Sequence, residues 1–220
     1  MATGLVLYSY WRSSAAYRVR IALNLKGLDY ETQPVHLVRD GGEQHSAAYR
    51  ALNPQETVPC LLDGDRVITQ SLAIMEYLDE VYPADQATLL PMDARGRAQV
   101  RALSLAVACD IHPLGNLRVL QHLENRLGAS EEERGAWSRY WIDLGFKALE
   151  VMLDDSAATG RYCHGEQPGM ADACLIPQVY NALRWKLPLD AYPTIARIHA
   201  ACNELDAFQR AAPERQADAP

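Results

Sequence analysis

Arg12-Ser13-Ser14-Ala15-Ala16-Tyr17-Arg18-Val19-Arg20-Ile21-Ala22-Leu23, preceded by the apolar run Leu5-Val6-Leu7-Tyr8, is the stretch on which the reading turns. An apolar strand, a short polar corner and an amphipathic helix follow one another directly. The corner sets two serine hydroxyls at a helix N-terminus, where unpaired N–H groups and the dipole favour an anion.

Working outward, Gly27 closes a helix predicted over residues 14–26, and Tyr30–Leu37 reads as a second strand. Gly41-Gly42 opens a loop, and residues 46–52 form a short helix ended by Asn53-Pro54. Cys60-Leu61-Leu62 and the run 66–69 flank Asp63-Gly64-Asp65, a hairpin signal. Ser71 is expected to cap a helix reaching Val81, with Leu72, Met75 and Leu78 on one face and Pro83 beyond its end. The order is βαβ, then a hairpin, then a helix. From Pro91 onward no strand pattern appears, and apolar residues recur at helical spacing over 98–109, 117–127, 131–153, 170–183 and 194–208. The change of character within 84–92 divides the chain into a first domain, 1–84, and an all-helical one, 91–220. The tail after Pro213 is polar and expected to fray.

Hydrophobic residues make up 49% of the 220, charged residues 22%, and the net charge is −7. That balance fits a globular protein and argues against a nucleic-acid partner, so an anionic substrate would need specific arginines to create a local positive spot. The N-terminal residues lack the pattern of a signal peptide and no apolar run approaches membrane-spanning length, so a cytoplasmic protein with no membrane partner is expected. Cys60, Cys109, Cys163, Cys174 and Cys202 are widely spaced, read as free thiols buried as small hydrophobes, and have no metal-ligand spacing; no metal is expected.

A redox fold often carries a Cys-x-x-Cys pair at such a strand-to-helix corner, and here there is no cysteine. If the site works on sulfur, the sulfur must arrive with a ligand, and a serine would hold it as a thiolate; simple N-capping by Ser13 or Ser14 is the ordinary alternative. Val58-Pro59 sits before the hairpin, where a cis bond would turn Val58's backbone outward to pair with a peptide, and a trans strand start is the plain reading. Gln70-Ser71 opens a helix and can bind a carboxylate or merely cap. Asp110-Ile111-His112-Pro113, with Asn116 and Arg118, interrupts an apolar helical region; His112 reads equally as a ligand contact or a core histidine. Arg184, on an otherwise apolar helix, is either solvated or, with Arg12, a two-point clamp on a dicarboxylate.

These residues, in this order, resemble the zeta class of the glutathione transferases, whose typical members are maleylacetoacetate isomerases and whose close relatives include maleylpyruvate isomerases. The resemblance rests on Arg12-Ser13-Ser14 with Arg18-Val19-Arg20-Ile21-Ala22-Leu23, Ala51-Leu52-Asn53-Pro54, Val58-Pro59, Gln70-Ser71-Leu72-Ala73-Ile74, Asp110-Ile111, and Leu175-Ile176-Pro177-Gln178-Val179 leading to Arg184. It implies a glutathione transferase fold, with an α/β thioredoxin-like N-terminal domain and an all-α C-terminal domain on the substrate side, and a homodimer. It implies a cis Pro59, Val58 pairing with the glutathione backbone, Gln70 and Ser71 holding its γ-glutamyl end, and Gln55, His112 and Asn116 bordering that cofactor. Ser14 matches the serine that activates the thiol. Two departures stand out: Ala15 replaces the cysteine common at the corner, and Gly169 replaces the usual Ser or Thr helix cap.

The implied chemistry is glutathione-dependent isomerisation of 4-maleylacetoacetate to 4-fumarylacetoacetate. Ser13, Ser14 and Arg12 are the catalytic candidates, and Arg12 and Arg184 the substrate clamp. The rivals are maleylpyruvate isomerisation, general glutathione conjugation, a non-catalytic binding protein of the same fold, and a glutaredoxin-like reductase, which Ala15 disfavours.

Overall fold

In the computed structural model, which describes residues 4–82 and 88–220, β1 (Leu5–Ser9) lies inside a four-stranded sheet of order β2-β1-β3-β4. β2 (Glu31–Pro34) pairs with it in parallel, after a crossover through α1 (Ser14–Leu25). The hairpin of β3 (Cys60–Asp63) and β4 (Arg66–Thr69) adds antiparallel on the other side, turning at Gly64-Asp65. Alternation along β1 sorts side chains to two faces. Leu5, Leu7 and Leu61 are buried with Val19 and Leu23 of α1 and Ile74 and Leu78 of α3 (Ser71–Val81). On the opposite face, Cys60 is buried with Val35, Val58, Tyr10 and Tyr49, the last from α2 (Ala47–Leu52).

The chain divides into two compact units, one of residues 1–90 with 203–220 and one of residues 91–202. The first has the thioredoxin-like order, with a mixed sheet. The second is built of helices: α4 (Ala94–Leu105), α5 (Leu117–Leu127), α6 (Glu131–Asp154), α7 (Met170–Arg184) and α8 (Pro193–Asn203). Its α7 is buried almost throughout, from Met170 to Val179. Ser130 and Glu133 close a capping box at the head of α6.

Several expectations shift. The second strand ends at Pro34, which cannot donate to a ladder; one further bond, Val35 N–H to Ser9 O at 2.8 Å, ends the pairing. Ser71 is the first residue of α3 rather than its cap; Gln70 takes the cap position with φ at 70°. The segment 98–109 changes winding, since α4 stops at Leu105 and a π-helical turn, Ala106–Ile111, leads into a tight turn, His112–Gly115. α6 approaches that turn closely enough that a Cβ at Gly145 would collide with Ile111. The last predicted helix is two, α8 and α9 (Asp206–Ala211), separated by an extended Leu205. The tail does not fray: Pro213 is buried, and Trp11 N–H donates to Asp218 Oδ2 at 2.9 Å. The boundary residues 84–87, and Pro83, lie outside the described residues. Of the five cysteines, Cys109 is exposed and the other four are buried. Burial pushes the Cys60 thiol up to about 11, and Cys163 and Cys202 also rise.

Candidate functional site

Strand register gathers the N-terminal candidates. Tyr8 of β1 stands opposite Cys60 of β3, and Cys60 stands opposite Thr69 of β4. The chain leaving β1 toward Arg12-Ser13-Ser14, the chain arriving at β3 through Val58-Pro59, and the chain leaving β4 into Gln70-Ser71 therefore all lie at one end of the sheet. Two helices, α1 and α3, begin there, and both present their positive ends.

Each corner is held by identifiable bonds. Ser13 is the N-cap of α1, its Oγ accepting the Ala16 N–H at 3.2 Å. Ser14 is the first residue of that helix and is buried. The Val58–Pro59 peptide is cis. Thr57 carries a carbonyl that accepts from Tyr49 Oη at 2.8 Å and Asn53 Nδ2 at 2.7 Å, which fixes the chain just before Val58. Among the described residues, the Val58 backbone has no backbone hydrogen-bond partner. Gln55 and Gln70 meet directly, Nε2 of Gln70 donating to Oε1 of Gln55 at 2.6 Å. Ser71 Oγ accepts from Arg18 Nη1 at 3.2 Å in a buried pair.

Two arginines that the sequence marks only as part of a motif have structural work. Arg18 reaches Ser71, while Arg20, fully buried, donates from Nε to Ala211 O, from Nη1 to Ser9 Oγ and from Nη2 to Trp11 O. Desolvation lowers its pKa to about 10, which leaves it charged at neutral pH. A signal was present: residues 18 and 20 are about 200° apart on a helix, so they cannot both face the same solvent side.

The remaining candidates belong to the helical unit. His112 follows the π-helical turn and lines a small cavity with Ser138, Trp141, Gln178, Asn181 and Trp185. Asn116 is the N-cap of α5, its Oδ1 accepting the Arg118 N–H at 3.2 Å. Arg184 ends α7 with its guanidinium 4.3 Å from the Trp185 ring centroid, and Arg12 lies 5.3 Å from the ring of Trp11. Both guanidinium groups lie within cation–π range of the neighbouring indole. Among the described residues no group of three or more His, Cys, Asp or Glu side chains is placed to hold a metal ion.

Residues 12–81 match the family model for the glutathione S-transferase N-terminal domain. The chain is 54% identical to a probable maleylacetoacetate isomerase of Vibrio cholerae, covering 98% of each, and 50% identical to a maleylpyruvate isomerase of a Ralstonia species, covering 96% of this chain and 98% of that one. It superposes with a TM-score of 0.94 and 48% identity on the holo structure of a maleylpyruvate isomerase described as a bacterial zeta-class glutathione transferase, covering 98% of this chain and 100% of that one. A maleylacetoacetate isomerase of Methylobacterium extorquens, solved with malonate and glutathione bound, matches with a TM-score of 0.92 and 44% identity over 98% of this chain and 99% of that one. With those relatives spanning nearly its whole length, the chain belongs to the zeta class of the glutathione transferases.

Proposed function

We propose that this protein is a glutathione-dependent isomerase that converts 4-maleylacetoacetate to 4-fumarylacetoacetate. The observation that carries the reading is the cysteine-free corner: a serine on the first turn of α1, at the sheet end shared by cis Val58–Pro59 and by Gln70-Ser71. Family membership adds to it. The residues present fit glutathione. Val58 offers a backbone without a backbone partner to a cysteinyl backbone. Gln70 and Ser71, at the head of α3, and Gln55 beside Gln70 suit a γ-glutamyl carboxylate. Ser14 suits the sulfur.

When bound, glutathione supplies the thiolate whose reversible addition turns a cis double bond into a rotatable single bond. Ser14 donates a hydrogen bond toward the sulfur and, with the N-terminal N–H groups of α1, favours its charged form. Ser14, on the first turn of α1, is the serine that matches the family's thiol-activating one, so we assign the sulfur to Ser14. Arg12 and, from the helical unit, Arg184 are our candidates for the substrate's carboxylates and for the negative charge that develops on its carbonyl oxygen. Capping through Oδ1 leaves the donors of the Asn116 amide unused by that bond, and Asn116 and His112 are our candidates from the helical unit for contact with the cofactor. The reading extends to a cytoplasmic homodimer serving aromatic amino-acid breakdown. Among the described residues no helix is long and apolar enough to cross a membrane.

The test is turnover of maleylacetoacetate and maleylpyruvate by the purified protein with and without glutathione. Faster isomerisation of maleylacetoacetate, absent without glutathione, is expected. Equal rates without glutathione would sink the reading. Preference for the shorter acid would move the assignment to maleylpyruvate, the activity named for the Ralstonia relative.

A further inference from the structure

We propose that Asp218, in a polar stretch after Pro213 that looks like a disposable tail, is a positioning residue for the serine corner. The proposal rests on the reading of that corner as the reactive site.

The corner is a turn, closed by Ser13 N–H to Tyr10 O at 2.9 Å. Such a turn uses the N–H of its last residue and leaves that of its second, here Trp11, pointing away from the ring. A part-buried N–H needs an acceptor, and among the described residues no backbone carbonyl accepts this one. Asp218 Oδ2 accepts it at 2.9 Å, across 207 residues of sequence. A carboxylate on a backbone N–H is the strong kind of hydrogen bond.

The opposite side of the same turn is gripped by Arg20, which reaches Trp11 O at 3.0 Å and Tyr10 O at 3.5 Å while its Nε holds Ala211 O at 2.9 Å. The carboxyl-terminal segment therefore acts on both sides of the turn, through Ala211 by way of Arg20 and through Asp218 directly. The segment is itself anchored. Gln216 Nε2 donates to Arg210 O and Ala212 O, both at 2.9 Å, and Ala219 N–H to Gln216 O at 3.1 Å closes a turn around Asp218. Asn24 of α1 adds a bond to Ala207 O. Arg12, Ser13 and Ser14 follow Trp11 without a spacer, so rotation of the Trp11 peptide carries all three with it. Displacements near 1 Å at reacting groups can cost on the order of a hundredfold in rate.

The test compares Asp218→Ala with Asp218→Asn, whose amide oxygen can still accept the Trp11 N–H. In the unliganded protein, amide hydrogen exchange at Trp11 should accelerate at least about tenfold in Asp218→Ala and stay near the parent's in Asp218→Asn. In the isomerase assay, Asp218→Ala should lose roughly tenfold in kcat with the glutathione KM within about twofold, and Asp218→Asn should recover most of the rate. Unchanged Trp11 exchange in Asp218→Ala overturns the proposal, as does an equal kcat loss in both variants. A parent inactive on either acid would instead count against the proposed function, while the exchange measurement still decides what Asp218 holds.

Discussion

Ser13 accepts the Ala16 N–H at the head of α1 and so caps the helix. Removing an N-cap oxygen costs about 1 kcal/mol of stability, so Ser13→Ala should lower the urea midpoint and affect kcat less than Ser14→Ala does. Ser14→Ala removes the donor assigned to sulfur, and its kcat should fall roughly a hundredfold, the scale of losing one donor aimed at developing charge, with the midpoint little changed. The pair thus forms a crossed comparison of stability against rate. A Ser14→Ala protein that isomerises at the parent's rate would remove Ser14 from the mechanism. Nearby, Arg18 and Arg20 show how buried cations serve geometry, one fixing Ser71 and the other fixing the turn before Arg12.

At the scale of the element, α7 is held at its head by Asp172. Its carboxylate accepts the Cys163 and Gly169 N–H groups, both at 2.9 Å, and the residue is 1% exposed. This is one half of a capping box, since Gly169 has no side chain to return a bond. Desolvation raises the Asp172 pKa, with the two N–H bonds opposing it. A carboxyl whose folded pKa lies above its unfolded one binds more protons in the fold. Its contribution is therefore fullest below the ordinary carboxylate range and declines as pH rises through the folded value. Asp172→Asn keeps one good acceptor and should cost about 2 kcal/mol overall. Urea midpoints for parent and variant across the acid range check the sign: the parent's advantage should shrink as pH rises out of the carboxylate range.

For the whole molecule, the two compact units differ in how their segments are drawn from the chain. The helical unit is continuous over 91–202, whereas the first takes back the carboxyl-terminal residues 203–220. The helical periodicity of α9 suggests that these residues belong with the helices, but periodicity does not say which neighbour a helix packs against. α1 and α9 pack together, and Arg20 Nε to Ala211 O ties them. The homodimer proposed from the family predicts a sedimentation mass twice the 24.5 kDa of one chain. A monomer at micromolar concentration would withdraw that part of the reading.

What the sequence determined by itself is what local chemistry governs. The apolar run Leu5–Tyr8, the Gly27 stop, the Gly64 turn and the apolar period from Pro91 onward set strand, helix and hairpin, because each depends on neighbours within a few residues. The serine corner, Val58-Pro59 and Gln70-Ser71 were legible as separate signals, and the strand register placed them at one sheet end. Long-range partners decided the rest. Nothing near Ser71 says that its hydroxyl serves Arg18, and a run of small and polar residues after Pro213 carries no mark of the backbone N–H it will accept. Hydrogen-bond satisfaction of buried groups is settled only when distant segments meet, and the tertiary structure alone decides which segments those are.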